Sequence, residues 1–207
     1  HGAVDPRHPN ASAAQILIAQ VVTYAPLGLY LTFVLPRISH VSLRALGLRA
    51  PTWGEIGIGL VGTVAMWVAV SGVGSAIEAI SRHHDTETAV ALMQHLHTTG
   101  EKILFFVVAC VLAPMIEELT FRVFLYNALT RYVSVPVAIV ISGLAFGIVH
   151  ALGAATSQLF TVALPLAFGG MILAYVYART RCYWASVTTH GCFNAIAVLA
   201  VFVFHAR

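Results

Sequence analysis

Charged residues are scarce in this sequence: Asp, Glu, Lys and Arg make up 9% of its 207 residues, whereas 59% are hydrophobic. Soluble domains carry roughly 25% charged residues, so the composition excludes an ordinary water-soluble protein. The basic residues are scattered through short segments and the formal net charge is only +3. Such a pattern provides no basic surface for nucleic acid. We therefore expect an integral, multi-pass membrane protein whose first partner is the lipid bilayer.

Several catalytic motifs are also missing. The sequence has no HExxH zinc-protease motif, no GxSxG elbow and no Gly-rich loop leading into Lys-Ser or Lys-Thr. Cysteine is rare as well: Cys110, Cys182 and Cys192 lie in or beside apolar runs without metal-type spacing. We interpret these three cysteines as inert helix residues. The absences exclude a helix-borne zinc protease motif, an α/β-hydrolase and a P-loop phosphate site.

Six apolar segments have a length suited to crossing a bilayer, for which about 20 helical residues are needed. They cover residues 15–35, 56–80, 102–131, 135–151, 159–177 and 184–204. No repeat, low-complexity tract or soluble domain interrupts them. The sequence thus predicts an all-α, polytopic transmembrane helix bundle of about six spanning helices, forming one membrane domain over residues 1–207.

The loops carry an uneven share of Lys and Arg, which sets orientation in a membrane. The basic residues of one side are Arg37, Arg44, Arg49, Arg131, Arg179 and Arg181, and those of the other are Arg7, Arg82, Lys102 and Arg207. Six against four favours the first side as cytoplasmic, with both ends of the sequence outside.

Acidic residues are absent after Glu118, over the last 89 residues. Glu117 and Glu118 lie within a long apolar run, and an ionisable residue inside a membrane predicts a functional site. At 100° per residue, Arg122 lies about 40° from Glu118 but about 140° from Glu117. Glu118 and Arg122 therefore form the favourable i,i+4 pair, and Glu117 is predicted to be left for chemistry. Alternatively, both glutamates are packing residues of a transporter or scaffold.

Histidines supply the candidate partners of Glu117. His150 and Glu117 are equidistant from a turn near residues 132–134, so an antiparallel hairpin would bring them to equal depth. Gly143 and Gly147 form a small-xxx-small face that would let a neighbouring helix approach closely. The alternative for His150 is simple hydrogen-bonded packing.

His190 and Asn194 share one helix face at i,i+4, where an imidazole and an amide can ligate a metal or stabilise an oxyanion. Their alternative is a polar contact between helices. His190 also lies only roughly 10 Å beyond Arg181 at helical rise, which is shallower than the depth expected for Glu117. Either the third helix then extends past the membrane, or the sixth is tilted or begins earlier. Four more histidines lie between the second and third apolar segments and are interpreted as adventitious surface residues: His83, His84, His95 and His97.

Taken together, these motifs resemble those of the CPBP intramembrane proteases, which include the type II CAAX prenyl endopeptidases and the bacterial Abi proteins. The matching elements are Glu117-Glu118-xxx-Arg122, Phe146-xxx-His150 and His190-xxx-Asn194. The resemblance covers about residues 101–197. It implies a C-terminal four-helix catalytic core over residues 101–205, preceded by variable N-terminal helices over residues 1–100.

The resemblance implies an endopeptidase acting on a membrane-associated peptide or protein, with prenylated CAAX-type substrates as the family analogy. Glu117 would activate water, His150 would help to hold it, and His190 and Asn194 would stabilise the oxyanion. Glu118, Arg122 and Phe146 would support the site. A divalent metal such as Zn²⁺ on Glu117, His150 and His190 fits the same residues, as does a metal-free glutamate peptidase. In a prokaryote the protein would lie in the plasma or inner membrane. A non-proteolytic scaffold or immunity protein and a proton-coupled transporter are the competing hypotheses.

Overall fold

The computed structural model describes residues 13–81, 93, 96–152 and 159–204, and within them the chain forms six helical rods. Helix α1 joins Ala13–Leu29, a π-helical stretch Tyr30–Val34 and Leu35–Ser39; α2 is Trp53–Ser81. Helix α3 joins Thr99–Val107, π-helical Val108–Leu112, Ala113–Glu118, π-helical Leu119–Tyr126 and Asn127–Leu129. Helices α4, α5 and α6 are Val135–Ala151, Leu159–Thr180 and Tyr183–Phe204.

Five of these rods are long and apolar enough to cross a membrane, namely all except the 17-residue α4. Their apolar side chains on the protein surface face lipid. The predicted polytopic all-α bundle is confirmed, and the protein is a multi-pass membrane protein. The predicted segments agree with the rods, although α1, α2 and α3 each begin two or three residues earlier than the apolar runs indicated.

Helix α4 packs closely on α5 through its two predicted glycines. A Cβ atom on Gly143 would lie 2.7 Å from the carbonyl oxygen of Ala167, and one on Gly147 would lie 2.2 Å from that of Ala163. Only a residue without a side chain fits so close to another backbone. The predicted small-xxx-small face is therefore confirmed, and it fixes the helix that carries His150 against α5.

Helix α3 departs from regular α-helical winding on both sides of its two glutamates. Pro114 has no N–H to donate to the Cys110 carbonyl, and the Ala113 N–H bonds instead to the Val108 oxygen in the π-helical pattern. Helix α6 approaches this irregular turn, where a Cβ atom on Gly191 would lie 2.7 Å from the Cys110 oxygen. π-Helical turns occur frequently at functional sites, and here they bracket Glu117 and Glu118.

At one end of the bundle, the loop between α1 and α2 packs on the turn between α5 and α6. The Tyr183 N–H donates to the Gly47 oxygen at 3.0 Å, and the Tyr177 hydroxyl donates to the Leu46 oxygen at 2.7 Å. Gly47 adopts a φ of 89°, which favours glycine. In the same loop Arg49 pairs with Glu55, and this carboxylate raises the pKa of the Arg49 guanidinium. These contacts bring several basic residues of the predicted cytoplasmic side to one end.

Candidate active site

Glu117 is the meeting point of four helices. Its Oε2 atom lies 3.6 Å from Nε2 of His150 on α4 and 3.8 Å from Nε2 of His190 on α6. Its Oε1 atom accepts a 2.9 Å hydrogen bond from the Tyr24 hydroxyl on α1. The Glu117 side chain is 12% exposed and that of His150 is 25% exposed. The carboxylate is therefore largely enclosed, and the cluster is most open on its His150 side.

The predicted pairing of Glu118 with Arg122 is confirmed. Nη1 of Arg122 lies 3.1 Å from Oε1 of Glu118, and both side chains are 0% exposed. Arg122 also donates from Nη2 to the Gly170 oxygen at 3.0 Å, which ties the pair to α5. The desolvation of a buried charge pair can exceed its attraction, and the bond to Gly170 offsets part of that cost.

Glu118 also holds His190, a contact beyond the predicted one. Nδ1 of His190 lies 3.0 Å from Oε1 of Glu118, and the Ser186 hydroxyl donates to Oε2. A carboxylate that already pairs with an arginine is an acceptor, so Nδ1 of His190 carries the proton. In the neutral ring, Nε2 then has a lone pair that points toward Glu117. In the His190 ring, Nδ1 therefore contacts Glu118 and Nε2 faces Glu117.

A backbone carbonyl of α4 orients the His150 ring so that its Nε2 atom, like that of His190, faces Glu117. Its Nδ1 atom lies 2.8 Å from the Phe146 carbonyl oxygen, which can only accept, so Nδ1 is the protonated nitrogen of the neutral ring. Its Nε2 atom therefore faces Glu117 as an acceptor. Distances of 3.6 and 3.8 Å are too long for direct hydrogen bonds, so the three groups face one another without bonding directly.

Phe146 packs its ring among the charged and titratable groups of the site. It is 1% exposed, and its ring centroid lies 4.2 Å from that of His150 and 5.5 Å from that of His190. The Arg122 guanidinium carbon lies 4.7 Å from the same ring, within the range of a cation–π contact. The side chain predicted to support the site thus touches both imidazoles and the buried cation.

Asn194 lies one helical turn beyond His190 on α6, as the i,i+4 spacing predicts. Its Nδ2 atom donates a 2.7 Å hydrogen bond to the Ala109 oxygen in the π-helical turn of α3. This is the contact between helices that the sequence left as an alternative. An amide nitrogen has two N–H donors, so the bond to Ala109 occupies one of the two.

The depth difference expected between His190 and Glu117 disappears in the structure. Arg181, beside the start of α6, donates from Nη1 to Oδ1 of Asn127 near the end of α3 at 3.0 Å. From this level, Glu117 lies ten residues back along α3 and His190 nine residues forward along α6. Helix α3 continues beyond that level to Leu129. An α3 that extends past the α5–α6 turn therefore places the two side chains side by side.

Three contacts of the site had no signal in the sequence. Tyr24 lies in the first apolar segment, and Ser186 and Tyr183 precede the third motif by a few residues. The Tyr183 hydroxyl donates to the Met115 oxygen at 2.8 Å, two residues before Glu117. All three join helices that are distant in sequence, and helical spacing describes only one helix at a time. Of the surface histidines, His83, His84 and His95 lie outside the described residues, and His97 is exposed as predicted.

A metal site on Glu117, His150 and His190 was the alternative use of the same residues. Among the residues described, no group of three or more His, Cys, Asp or Glu side chains is arranged to hold a metal ion. We therefore derive no step of the reaction through a metal.

Comparisons with known proteins give one family match and one curated relative. Residues 99–196 match the family model described as "Rce1-like: Type II CAAX prenyl endopeptidase Rce1-like". A protein of Bacillus subtilis (strain 168) named "Putative membrane peptidase YdiL" is 32% identical over 96 residues, which are 46% of this chain and 36% of that protein. This chain therefore matches well under half of that relative's length. No solved structure matches the present chain significantly. The matched segment contains all three motifs, so over residues 99–196 the chain is similar to the Rce1-like type II CAAX prenyl endopeptidase family, the resemblance that the motifs predicted.

Proposed function

We propose that this protein is an intramembrane endopeptidase that hydrolyses a peptide bond with a water activated by Glu117. The observation that carries the proposal is the convergence of two imidazole Nε2 atoms on one oxygen of a largely enclosed carboxylate. A base in such a position can take a proton from a water held between it and His150. The membrane peptidases among the similar proteins support the same reaction class.

The reaction needs only the groups in this cluster. Glu117 accepts a proton as the water oxygen forms a bond to the carbonyl carbon of the substrate, and the carbonyl oxygen becomes an oxyanion. The second N–H of Asn194 stabilises that charge, a contribution worth about 10²–10³ in rate for a single donor. His190 has the same role in its doubly protonated form, in which Nδ1 donates to Glu118 and Nε2 donates to the oxyanion. The C–N bond then breaks, and the proton held by Glu117 passes to the departing amine.

The other charged residues of the first motif, Glu118 and Arg122, have a supporting role in this mechanism. Glu118 accepts from Nδ1 of His190 and pairs with Arg122, so it fixes the ring whose Nε2 atom faces the reaction. Phe146 packs against both imidazoles and limits their rotation. These residues act through the catalytic side chains and do not meet the substrate.

For the substrate, we propose a membrane-associated peptide with a prenylated CAAX-type C-terminus, on the basis of the family description. A peptide carrying a lipid would reach an enclosed site from the membrane, where the surrounding helices expose apolar side chains. An unprenylated membrane segment is the alternative, and direct comparison of the two peptides decides between them.

Two other functions use the same helices. A non-proteolytic scaffold or immunity protein would need the fold but no carboxylate facing two imidazoles. A proton-coupled transporter would need a polar path, whereas the ionisable cluster of the described residues is gathered around α3. The position of Glu117 therefore favours hydrolysis over both.

The test is cleavage of a farnesylated CAAX peptide and its unfarnesylated twin by purified protein in lipid vesicles. Wild type should cut, whereas Glu117→Gln and His150→Ala should lose activity by at least about 10². The matched controls are Glu101→Gln, a partly exposed carboxylate at the start of the same helix, and His40→Ala, an exposed histidine. Both controls should retain activity. Equal cleavage by wild type and Glu117→Gln would overturn the proposal.

A further inference from the structure

We infer that Tyr24 is a positioning residue of this site, and that α1 therefore contributes to the reaction although it lies outside the segment matched by the family. The inference rests on the proposed function. It starts from the 2.9 Å hydrogen bond that the Tyr24 hydroxyl donates to Oε1 of Glu117 across 93 residues of sequence. The matched segment begins at residue 99.

Helix α1 touches the rest of the protein through one narrow stripe. Its partly or fully buried positions from residue 17 to residue 31 are Leu17, Val21, Tyr24, Gly28 and Leu31, and the other side chains described in this range are exposed. The steps between them are four, three, four and three residues, which is the spacing of a single helix face. Tyr24 stands at the centre of this stripe.

Neighbouring contacts fix the stripe on α3 above and below Tyr24. Leu17 belongs to a buried cluster with Phe105 and Cys110 of α3, and Leu31 to another with Leu119 and Val123. Between them, a Cβ atom on Gly28 would lie 3.3 Å from Cδ1 of Ile116, the residue preceding Glu117. The small residue lets α1 come close enough for the Tyr24 hydroxyl to reach the carboxylate.

The hydrogen bond has a directional consequence for Glu117. A carboxylate on a long side chain can rotate, and only one of its oxygens needs to face the substrate. Because Tyr24 holds Oε1, Oε2 is the oxygen left toward His150 and His190. A base held in one orientation reacts faster than a mobile base. Loss of the hydroxyl should therefore lower the rate of the chemical step and leave substrate binding unchanged.

The test is Tyr24→Phe, which removes only the hydroxyl, in the vesicle assay with the full chain. We expect kcat to fall about tenfold, as for the loss of one hydrogen bond to a charged group, and KM to stay within about twofold. The matched control is Tyr30→Phe, the same change at a tyrosine of α1 that is 45% exposed. It should leave both constants at wild-type values. A kcat for Tyr24→Phe equal to that of Tyr30→Phe would overturn the inference, since packing alone would leave the folded enzyme fully active.

A thermal double-mutant cycle tests the same contact without any substrate. Tyr24→Phe should lower Tm by about 2–4 °C in the wild-type background and cause no further decrease in the Glu117→Leu background. Additive shifts would overturn the inference. If wild type cleaves neither peptide, the proposed function fails by itself, and the cycle still decides whether Tyr24 holds Glu117.

Discussion

Nδ1 of His190 lies 3.0 Å from Oε1 of Glu118, the same oxygen that lies 3.1 Å from Nη1 of Arg122. The carboxylate that pairs with the arginine is thus also the carboxylate that orients an imidazole of the candidate site. The charge pair inside α3 and the third motif on α6 form one connected unit. A change to either charged partner should therefore affect both stability and activity.

We expect Glu118→Gln to destabilise the protein by about 3–5 kcal/mol, because it leaves the fully buried Arg122 without a compensating charge. The free energy of unfolding in detergent measures this loss. Glu101→Gln changes a partly exposed carboxylate of a capping box on the same helix and should cost only about 1 kcal/mol. Similar losses for the two variants would contradict the importance assigned to the buried pair.

Phe146→Ala should reduce stability by about 3–5 kcal/mol, because the ring is fully buried among His150, His190 and Arg122. Activity per folded molecule should fall as well, since both imidazoles lose the surface that limits their rotation. Phe160→Ala, at a ring 75% exposed, should change stability by less than about 0.5 kcal/mol. If Phe146→Ala remained as active per folded molecule as wild type, Phe146 would be a packing residue alone.

Gly147→Ala should destabilise the protein by at least about 1–3 kcal/mol, because the added Cβ atom would meet the Ala163 oxygen at 2.2 Å. Separation of α4 from α5 would also move His150 away from Glu117. The same substitution at Gly57, which has open space around it, should leave stability unchanged or raise it by up to about 1 kcal/mol. Thermal unfolding of the two variants side by side measures the difference, and equal behaviour would refute the close packing of α4 on α5.

Exhaustive chelation should leave peptide cleavage unchanged, because the described residues offer no set of ligands arranged for a metal ion. Metal analysis of the same sample by mass spectrometry should give less than one ion per chain. Loss of activity on chelation, followed by recovery with Zn²⁺ alone, would instead assign Glu117, His150 and His190 to a metal site.

Spacing within one helix or one hairpin predicted much of this structure. The apolar runs located the six helices, the i,i+4 rule paired Glu118 with Arg122, and equal distance from a turn matched Glu117 with His150. Each of these arguments uses only local geometry. The contacts follow from the backbone path that apolar runs and short turns impose.

The remaining contacts join helices far apart in sequence, and no local rule contains them. Tyr24 reaches Glu117 across 93 residues, and Ser186 reaches Glu118 across 68. The apparent mismatch in depth between His190 and Glu117 came from counting residues along regular helices ending at the membrane. In the structure, α3 is partly π-helical and runs past the α5–α6 turn, so counting along the sequence gave a wrong relative height.

The narrow stripe of α1 also determines how many of its positions tolerate substitution. From residue 17 to residue 31, five positions face the protein, whereas the other described ones face lipid, which accepts almost any apolar side chain. Most positions of α1 can therefore change in sequence without altering the packing of α1 on α3 or the position of the Tyr24 hydroxyl. A helix of this kind can therefore lose recognisable sequence similarity to its relatives and still keep its place beside the candidate active site.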